Sequence, residues 1–465
     1  MAWQRLGFTH IWLMGVWTGG PRAREQALAD PGLRQAYSAA RPGFRDEDVA
    51  SSPYAIAEYR VADDLGGEKG LQGFRAKLHA CEMRLVLDFV PNHVGLDHLW
   101  LREQPELFVQ ISGKVPGTFL QETTSGLRWL AYGKDPNFPP WTDTAQLDYR
   151  RPATRMAMTS VLESIAERCD GVRCDMAMLA LNEVFARTWE NFPVTESPET
   201  RRQQPIGGRE FWSEAIAIIK RSHSDFMFLG EAYWGLEQRL LDLGFDFTYD
   251  KELYDALIAR DASGAQRHLL GQAPQTLARS AHFLENHDEP RVSALLKPAE
   301  HRAAALVILG APGMRFLHEG QLSGARVRTP VQLRSRVAEP RQTEIQEMYD
   351  RLLKAVSATA VGRGSGELLK PRNAWPENRT SEDFVLAQWQ TQRPEFDLVV
   401  VNLAAHRSQC YAPLTVGGLS AHNWEMGDLL GPEQYVRWGE DLQNQGLYLD
   451  LPPHGAQLFH FRPTG

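Results

Sequence analysis

The sequence is short of positive charge. Its 50 Lys and Arg face 58 Asp and Glu, a formal net charge of −8 over 465 residues. No net positive field is there to gather a phosphate backbone, and nucleic acid is not an expected partner. No apolar run approaches the roughly 18 residues that a membrane span needs, so no membrane association is expected either. Cysteine is scarce: Cys81, Cys169, Cys174 and Cys410 are spread along the chain, with no disulfide or metal-binding spacing. Buried free thiols in a reducing compartment are the expectation. Met1 to Trp17 has only Arg5 before a short apolar stretch and no small-residue cleavage site, so it does not read as a signal peptide, and the expected location is cytoplasmic. Repeats and low-complexity tracts are absent. What is present, 43% hydrophobic, 23% charged and 10% aromatic residues, is the composition of an ordinary globular protein.

Apolar, β-branched runs recur between helical patterns: His10 to Val16, Arg84 to Val90, Asp170 to Asp175, Phe226 to Glu231, Phe245 to Tyr249, His282 to Asn286 and Met314 to His318. Between them, Leu71, Phe74 and Leu78, or Phe211, Ala215, Ile218 and Ile219, recur at helical spacing. Strands alternating with helices, every strand apolar throughout, predict a parallel sheet covered on both faces. A last helix carries Ile345, Met348, Leu352, Leu353 and Val356, with Thr343 and Gln346 in a capping-box pattern at its start. The glycine-rich Gly362 to Gly366 stretch then reads as a loop, because no strand and helix bracket it as a nucleotide site requires. Beyond it come short strands such as Phe384 to Trp389, Leu398 to Leu403 and Leu458 to Phe461. They predict a separate β domain. The Gly95 to Tyr149 segment, rich in Pro and aromatics, is too long for a simple strand-to-helix connection, and long loops of this kind are usually functional.

Four stretches place polar residues at or just after the ends of the predicted strands: Asp88 to His93 (DFVPNH), Gly171 to Asp175 (GVRCD), Gly230 and Glu231, and Glu285 to Asp288 (ENHD). In a parallel barrel the C-terminal strand ends ring one opening, so residues far apart in sequence converge there. Arg173 and Asp175 are two apart on one strand and share a face, where the guanidinium favours an ionised Asp175, a nucleophile. Glu231, near Asp175 and Asp288, is expected to be pushed toward its protonated form by like charge and burial, which makes it a general acid. Such a pair suits retaining glycoside hydrolysis, with carboxyl groups about 5 to 5.5 Å apart. His93 and His287 can donate to sugar hydroxyls, and Asp288 can accept from them. Taken singly, each piece is more often an internal ion pair or a packing residue. Their joint occurrence, in order and each at a strand end, points to a site. Asp88 and Asn92 are expected to pack and to hold loops.

These stretches resemble a known family. DFVPNH, GVRCD, GEAYW and FLENHDEPR are similar to the four conserved regions of the α-amylase family of glycoside hydrolases (family 13), and QLDY at Gln146 to Tyr149 to its fifth. The resemblance implies an α/β fold, a (β/α)8 TIM barrel over 1–94 and 150–358. It also implies a loop-rich domain B insertion over 95–149 and a C-terminal antiparallel β domain, a sandwich, over 365–465. It implies Asp175 as nucleophile, Glu231 as acid/base and Asp288 as transition-state stabiliser. Arg173, His93 and His287 would bind the reacting sugar, and Tyr54, in SPYAI, would stack beneath it. Tyr233, Trp234 and Trp141 are left between outer sugar subsites and simple packing.

The sequence departs from the family pattern in three places. Family barrels carry a strand and a helix ahead of the LGFTHIWLMGVW segment, which here begins a few residues after Met1; one strand of eight is therefore expected to be missing. Met176, Ala177, Met178 and Leu179 stand where many α-amylases carry Lys and His, and no oxygen-rich ligand set can be assembled, so no cofactor and no calcium site is expected. GEAYW does not select one specificity. The expected function is a retaining α-glycosidase acting on α-glucosidic, α-1,4, linkages of an α-glucan or maltooligosaccharide. A transglycosylase on the same intermediate, and a non-catalytic sugar-binding or truncated inactive homologue, are the alternatives. The Asn378 to Thr380 triplet matches a glycosylation acceptor by chance.

Overall fold

The structure, a computed structural model, describes residues 2–192, 208–391 and 394–464. The chain divides into two compact units, Phe8–Thr248 with Thr329–Val337, and Ala2–Gly7 with Tyr249–Arg328 and Ala338–Gly465.

In the first unit, strands β1 (His10–Leu13), β2 (Arg84–Phe89), β3 (Gly171–Cys174), β4 (Met227–Gly230) and β5 (Phe247–Tyr249) lie side by side in that order, all parallel. Each begins near its expected position. β1 stops at Leu13 rather than Val16 because Gly15 takes a left-handed conformation, φ +69°, and gives its N–H to the Asp88 carboxylate at 2.7 Å. Leu85, Leu87, Phe89, Val172, Cys174 and Phe228 are wholly buried, as a sheet covered on both faces requires. The helices Gly67–His79 and Phe211–Ser222 supply Leu71, Leu78, Phe211, Ala215 and Ile219 to that core. The long connection after β2 folds as antiparallel strands His93–Gly95, Trp141–Gln146, Gly126–Gly133, Gln110–Ile111 and Thr118–Thr123. Two helices that the sequence reading passed over, Pro21–Ala29 and Pro31–Ala40, follow the strand Trp17–Gly19. Arg22 ties them to the Leu96 carbonyl at 2.8 Å and to Asp97 at 2.9 Å.

The second unit holds the parallel pair β6 (Ser280–His282) and β7 (Met314–Arg315). β6 ends where the expected His282–Asn286 strand would begin. Beyond it the Glu285 carboxylate accepts from Val292 N–H and Arg291, both at 2.7 Å, and Asn286 Oδ1 accepts two turn amides. Side-chain acceptors thus replace the ladder. The helix Thr343–Ala358 buries the apolar set expected of it, but the capping box does not form: Gln342, not Thr343, is the N-cap, with no side-chain cap bond, and its amide is used by the Gly324 carbonyl.

After this helix a six-stranded antiparallel sheet runs Ser365–Leu368, Phe384–Gln390, Phe396–Asn402, Ala456–Thr464, Asn423–Asp428 and Gln434–Trp438 in spatial order, beside a three-stranded one. Phe396 and Phe461, opposite each other in register, stack at 4.2 Å in its core. It packs on helix Pro298–Gly310, where Trp389 Nε1 donates to the Gly310 carbonyl at 2.8 Å. Asn378 is buried, and its amide nitrogen donates to Gln409, so it is engaged in the fold. The four cysteines are free; burial pushes the Cys169 thiol up to about 12 and Cys174 and Cys410 well above the ordinary value, which makes them poor nucleophiles. Among the described residues, no helix is long and apolar enough to cross a membrane.

Candidate active site

Register brings the two principal carboxylates together. Cys174 and Gly230, the last residues of β3 and β4, are partners across the sheet. Asp175 and Glu231 each follow by one residue, and the ladder runs on through them: Glu231 N–H donates to the Cys174 carbonyl at 3.0 Å, and Ala177 N–H to the Glu231 carbonyl at 3.0 Å. Adjacent strands lie about 4.8 Å apart, so this register makes the two acids direct neighbours. Both are buried, 6% and 3% exposed.

Arg173, wholly buried, lies two residues before Asp175 on β3. Its Nη1 donates to Asp175 Oδ1 at 2.6 Å, and its Nη2 lies 2.7 Å from Glu231 Oε2. One guanidinium therefore bridges both carboxyl groups. Its carbon lies 5.3 Å from the ring centroids of both Trp12 and Tyr54, aromatic faces that favour a desolvated cation.

Glu231 has donors on both oxygens. Met176 N–H reaches Oε2 at 2.7 Å, and the Tyr233 hydroxyl reaches Oε1 at 2.8 Å. Burial and the nearby Asp175 disfavour the charged form of Glu231, while Arg173, Met176 and Tyr233 favour it. From sequence only the first influence was visible. The Met176 amide can reach this position because Met176 is left-handed, φ +42°, and Trp234, just past Tyr233, is left-handed as well, φ +65°. Two of the five non-glycine residues with positive φ among the described residues thus follow these carboxylates. Backbone strain of this kind collects at functional sites.

The apolar residues after Asp175 pack rather than bind: Ala177, Met178, Leu179 and Ala180 form a buried 3-10 turn, pinned by Trp212 Nε1 on the Ala177 carbonyl at 2.8 Å. His93 is buried and pushed down to about 4 by burial, against the opposing Asp143 charge and a hydrogen bond to the Tyr54 backbone. It is a neutral imidazole at physiological pH, fit to donate to a hydroxyl. Its ring lies 5.1 Å from that of Trp141. Asp88 faces the loop after β1, accepting from Trp12 Nε1 at 3.1 Å and from Gly15. Asn92 exchanges hydrogen bonds with Gln146. Both hold loops.

His287 and Asp288 belong to the second unit, on the turn after β6, with His287 Nε2 at 2.9 Å from Asp288 Oδ2. Asn286 Oδ1 accepts from Asp288 N–H at 2.9 Å, and the buried Glu285–Arg291 pair anchors the turn. Among the described residues, no three His, Cys, Asp or Glu side chains are grouped as a metal ion would need. Tyr233 and the Met176 amide are the contacts that sequence reasoning missed. The adjacency of Tyr233 to Glu231 was the only signal for the first, and a backbone donor leaves no signal at all.

The family model for the catalytic domain of alpha amylase matches residues 3–355. Over 291 residues the chain is 25% identical to alpha-amylase MalA of Haloarcula japonica, covering 60% of this chain and 38% of that protein. Over 324 residues it is 25% identical to a probable oligo-1,6-glucosidase 2 of Bacillus subtilis, covering 58% of this chain and 55% of that protein. The chain thus spans about half or less of the length of these relatives. A crystal structure of the alpha-amylase from Geobacillus thermoleovorans, complexed with acarbose, superposes with a TM-score of 0.67 at 18% identity, covering 99% of this chain and 90% of that one. The fold is therefore of the (β/α)8-barrel class, with seven parallel strands among the described residues, and carries a C-terminal antiparallel β domain.

Proposed function

This chain belongs to the α-amylase family of glycoside hydrolases, and from that premise we propose that it is a retaining α-glycosidase cleaving α-1,4-glucosidic bonds in oligo- or polysaccharides. Asp175 attacks the anomeric carbon as the bond to the leaving oxygen breaks and Glu231 gives that oxygen its proton. A glycosyl-aspartate results. Glu231, now a carboxylate, takes a proton from water, whose oxygen displaces Asp175 and regenerates both groups. Arg173 keeps Asp175 ionised between turnovers, and neutral His93 donates to a sugar hydroxyl over the Tyr54 ring. By the family resemblance, His287 is a sugar-binding residue and Asp288 the stabiliser of the transition state.

The single observation behind this reading is the Arg173 guanidinium shared by Asp175 and Glu231: it holds both carboxyl groups where one glycosidic bond can lie between them. The test is incubation with maltooligosaccharides, with products resolved by length and anomeric form. Shorter α-anomers are expected; longer products would show transfer instead, and β-anomers would refute retention. Asp175→Asn should lower kcat by about 10⁴-fold or more, on the scale seen when a catalytic nucleophile is removed, in a chain that still melts cooperatively. A variant turning over near the parent rate would sink the nucleophile assignment.

A further inference from the structure

We propose that the Tyr233 hydroxyl is a positioning residue for the proton of Glu231; the inference rests on the acid/base reading of Glu231 above. The two oxygens of this carboxyl group are not equivalent. Oε2 faces the Met176 amide and the Arg173 guanidinium, both at 2.7 Å. Neither of these can accept a hydrogen bond, so a proton on Oε2 would meet two donors. The acid proton therefore belongs on Oε1, where the partner at 2.8 Å is the hydroxyl of Tyr233. A hydroxyl can donate to the lone pair that the proton leaves free.

As the proton passes to the departing glycosidic oxygen, charge develops on Oε1, and the Tyr233 bond becomes charge-assisted, roughly twice as strong as its neutral form. An interaction that strengthens only along the reaction lowers the barrier rather than tightening ground-state binding. The backbone is shaped for this contact. Trp234 and Gly235, at φ +65° and +71°, turn the chain immediately after Tyr233, while Ala232, wholly buried, fixes it immediately before. Tyr233 itself is partly buried against the core of the first unit. A bulky residue such as Trp234 adopts this conformation only where its surroundings impose it.

The experiment compares Tyr233→Phe and Glu231→Gln in the full chain on two substrates: maltotriose, whose sugar leaving group needs a proton, and α-glucosyl fluoride, whose fluoride needs little. Tyr233→Phe should lower kcat on maltotriose by about 10- to 100-fold, the worth of one hydrogen bond to a charged group, with KM unchanged and the fluoride rate within a factor of about 2. Replacing Tyr233 with 3-fluorotyrosine, which keeps the shape and strengthens the donor, should retain full maltotriose turnover and so guards against a packing effect. Equal damage on both substrates, or none, overturns the role of Tyr233. If Glu231→Gln leaves maltotriose turnover intact, or the parent chain is inert on both substrates, the acid/base reading itself falls.

Discussion

Replacing Gly95 by alanine should damage stability and activity together. Gly95 lies on the short strand His93–Gly95, two residues after His93, and opposite it runs the backbone that carries Tyr54. A Cβ at Gly95 would sit 2.4 Å from the Ala55 carbonyl oxygen and 2.7 Å from its carbon. These are backbone atoms, so no rotamer change relieves the overlap. The two segments must separate by roughly 0.5–1 Å to reach van der Waals contact. Overpacking of this kind costs about 1–3 kcal/mol, a fall in melting temperature of roughly 2–10 °C for a unit of this size. The shift also pulls His93 away from Tyr54, whose backbone it bonds, and misplacing substrate-binding groups by about 1 Å costs up to about 100-fold in rate. Gly73 is the control. It lies on the exposed side of helix Gly67–His79, with nothing within 4 Å of a Cβ built there, so Gly73→Ala should stabilise by about 0.5–1 kcal/mol and leave activity alone. Scanning calorimetry and kcat/KM on one maltooligosaccharide would decide. A Gly95→Ala chain that melts with the parent and turns over at the parent rate would refute the reasoning.

The second unit offers two further tests. Burial alone would raise the Asp250 carboxyl, but hydrogen bonds from His268 at 2.7 Å and His282 at 2.8 Å hold it below the ordinary value; burial would lower His268, yet Asp250 holds it above the ordinary 6.5. The Asp250 contribution is complete above the ordinary carboxylate value and lost as pH falls through its lowered one. The His268 contribution is complete below 6.5 and lost as pH rises through its raised value, so the cluster stabilises most in between. Asp250→Asn should cost about 3–5 kcal/mol there and flatten both limbs of a denaturation series across pH; curves that merely run parallel to the parent's would count against the cluster. At Gly310 a Cβ would lie 2.7 Å from Val399 Cγ1, so Gly310→Ala should cost about 1–3 kcal/mol in urea unfolding. Val399→Ala should then cost less in that background than alone, and strictly additive costs would rule the clash out.

How much was legible follows from which signals are local. Six of the seven parallel strands stood close to their expected positions because each is an apolar run whose burial needs no knowledge of its partners. The exception, β6, slipped toward the N-terminus because Glu285 and Asn286 found acceptor roles outside the ladder, and those roles depend on Arg291 and Val292. The capping pattern at Thr343 failed for a similar reason: whether a hydroxyl caps or merely begins a helix depends on where the preceding chain arrives. The helices between Gly20 and Arg41 were passed over because their apolar faces are short and broken by Pro31.

Asp175, Glu231 and Arg173 could be singled out in advance because chemistry restricts residue type and strand ends restrict position, whereas Tyr54 was named only through the family resemblance. By itself, the order of residues determined an alternating α/β chain, a β domain after it, and which acids stand at the ends of strands. Only the folded chain decided that Arg173 grips two carboxyl groups, that a left-handed Met176 aims its amide at Glu231, and that Tyr233 folds back onto the acid it follows. Those contacts arise from register between strands about 55 residues apart and from backbone angles held by surrounding packing, neither of which has a signature in composition or spacing.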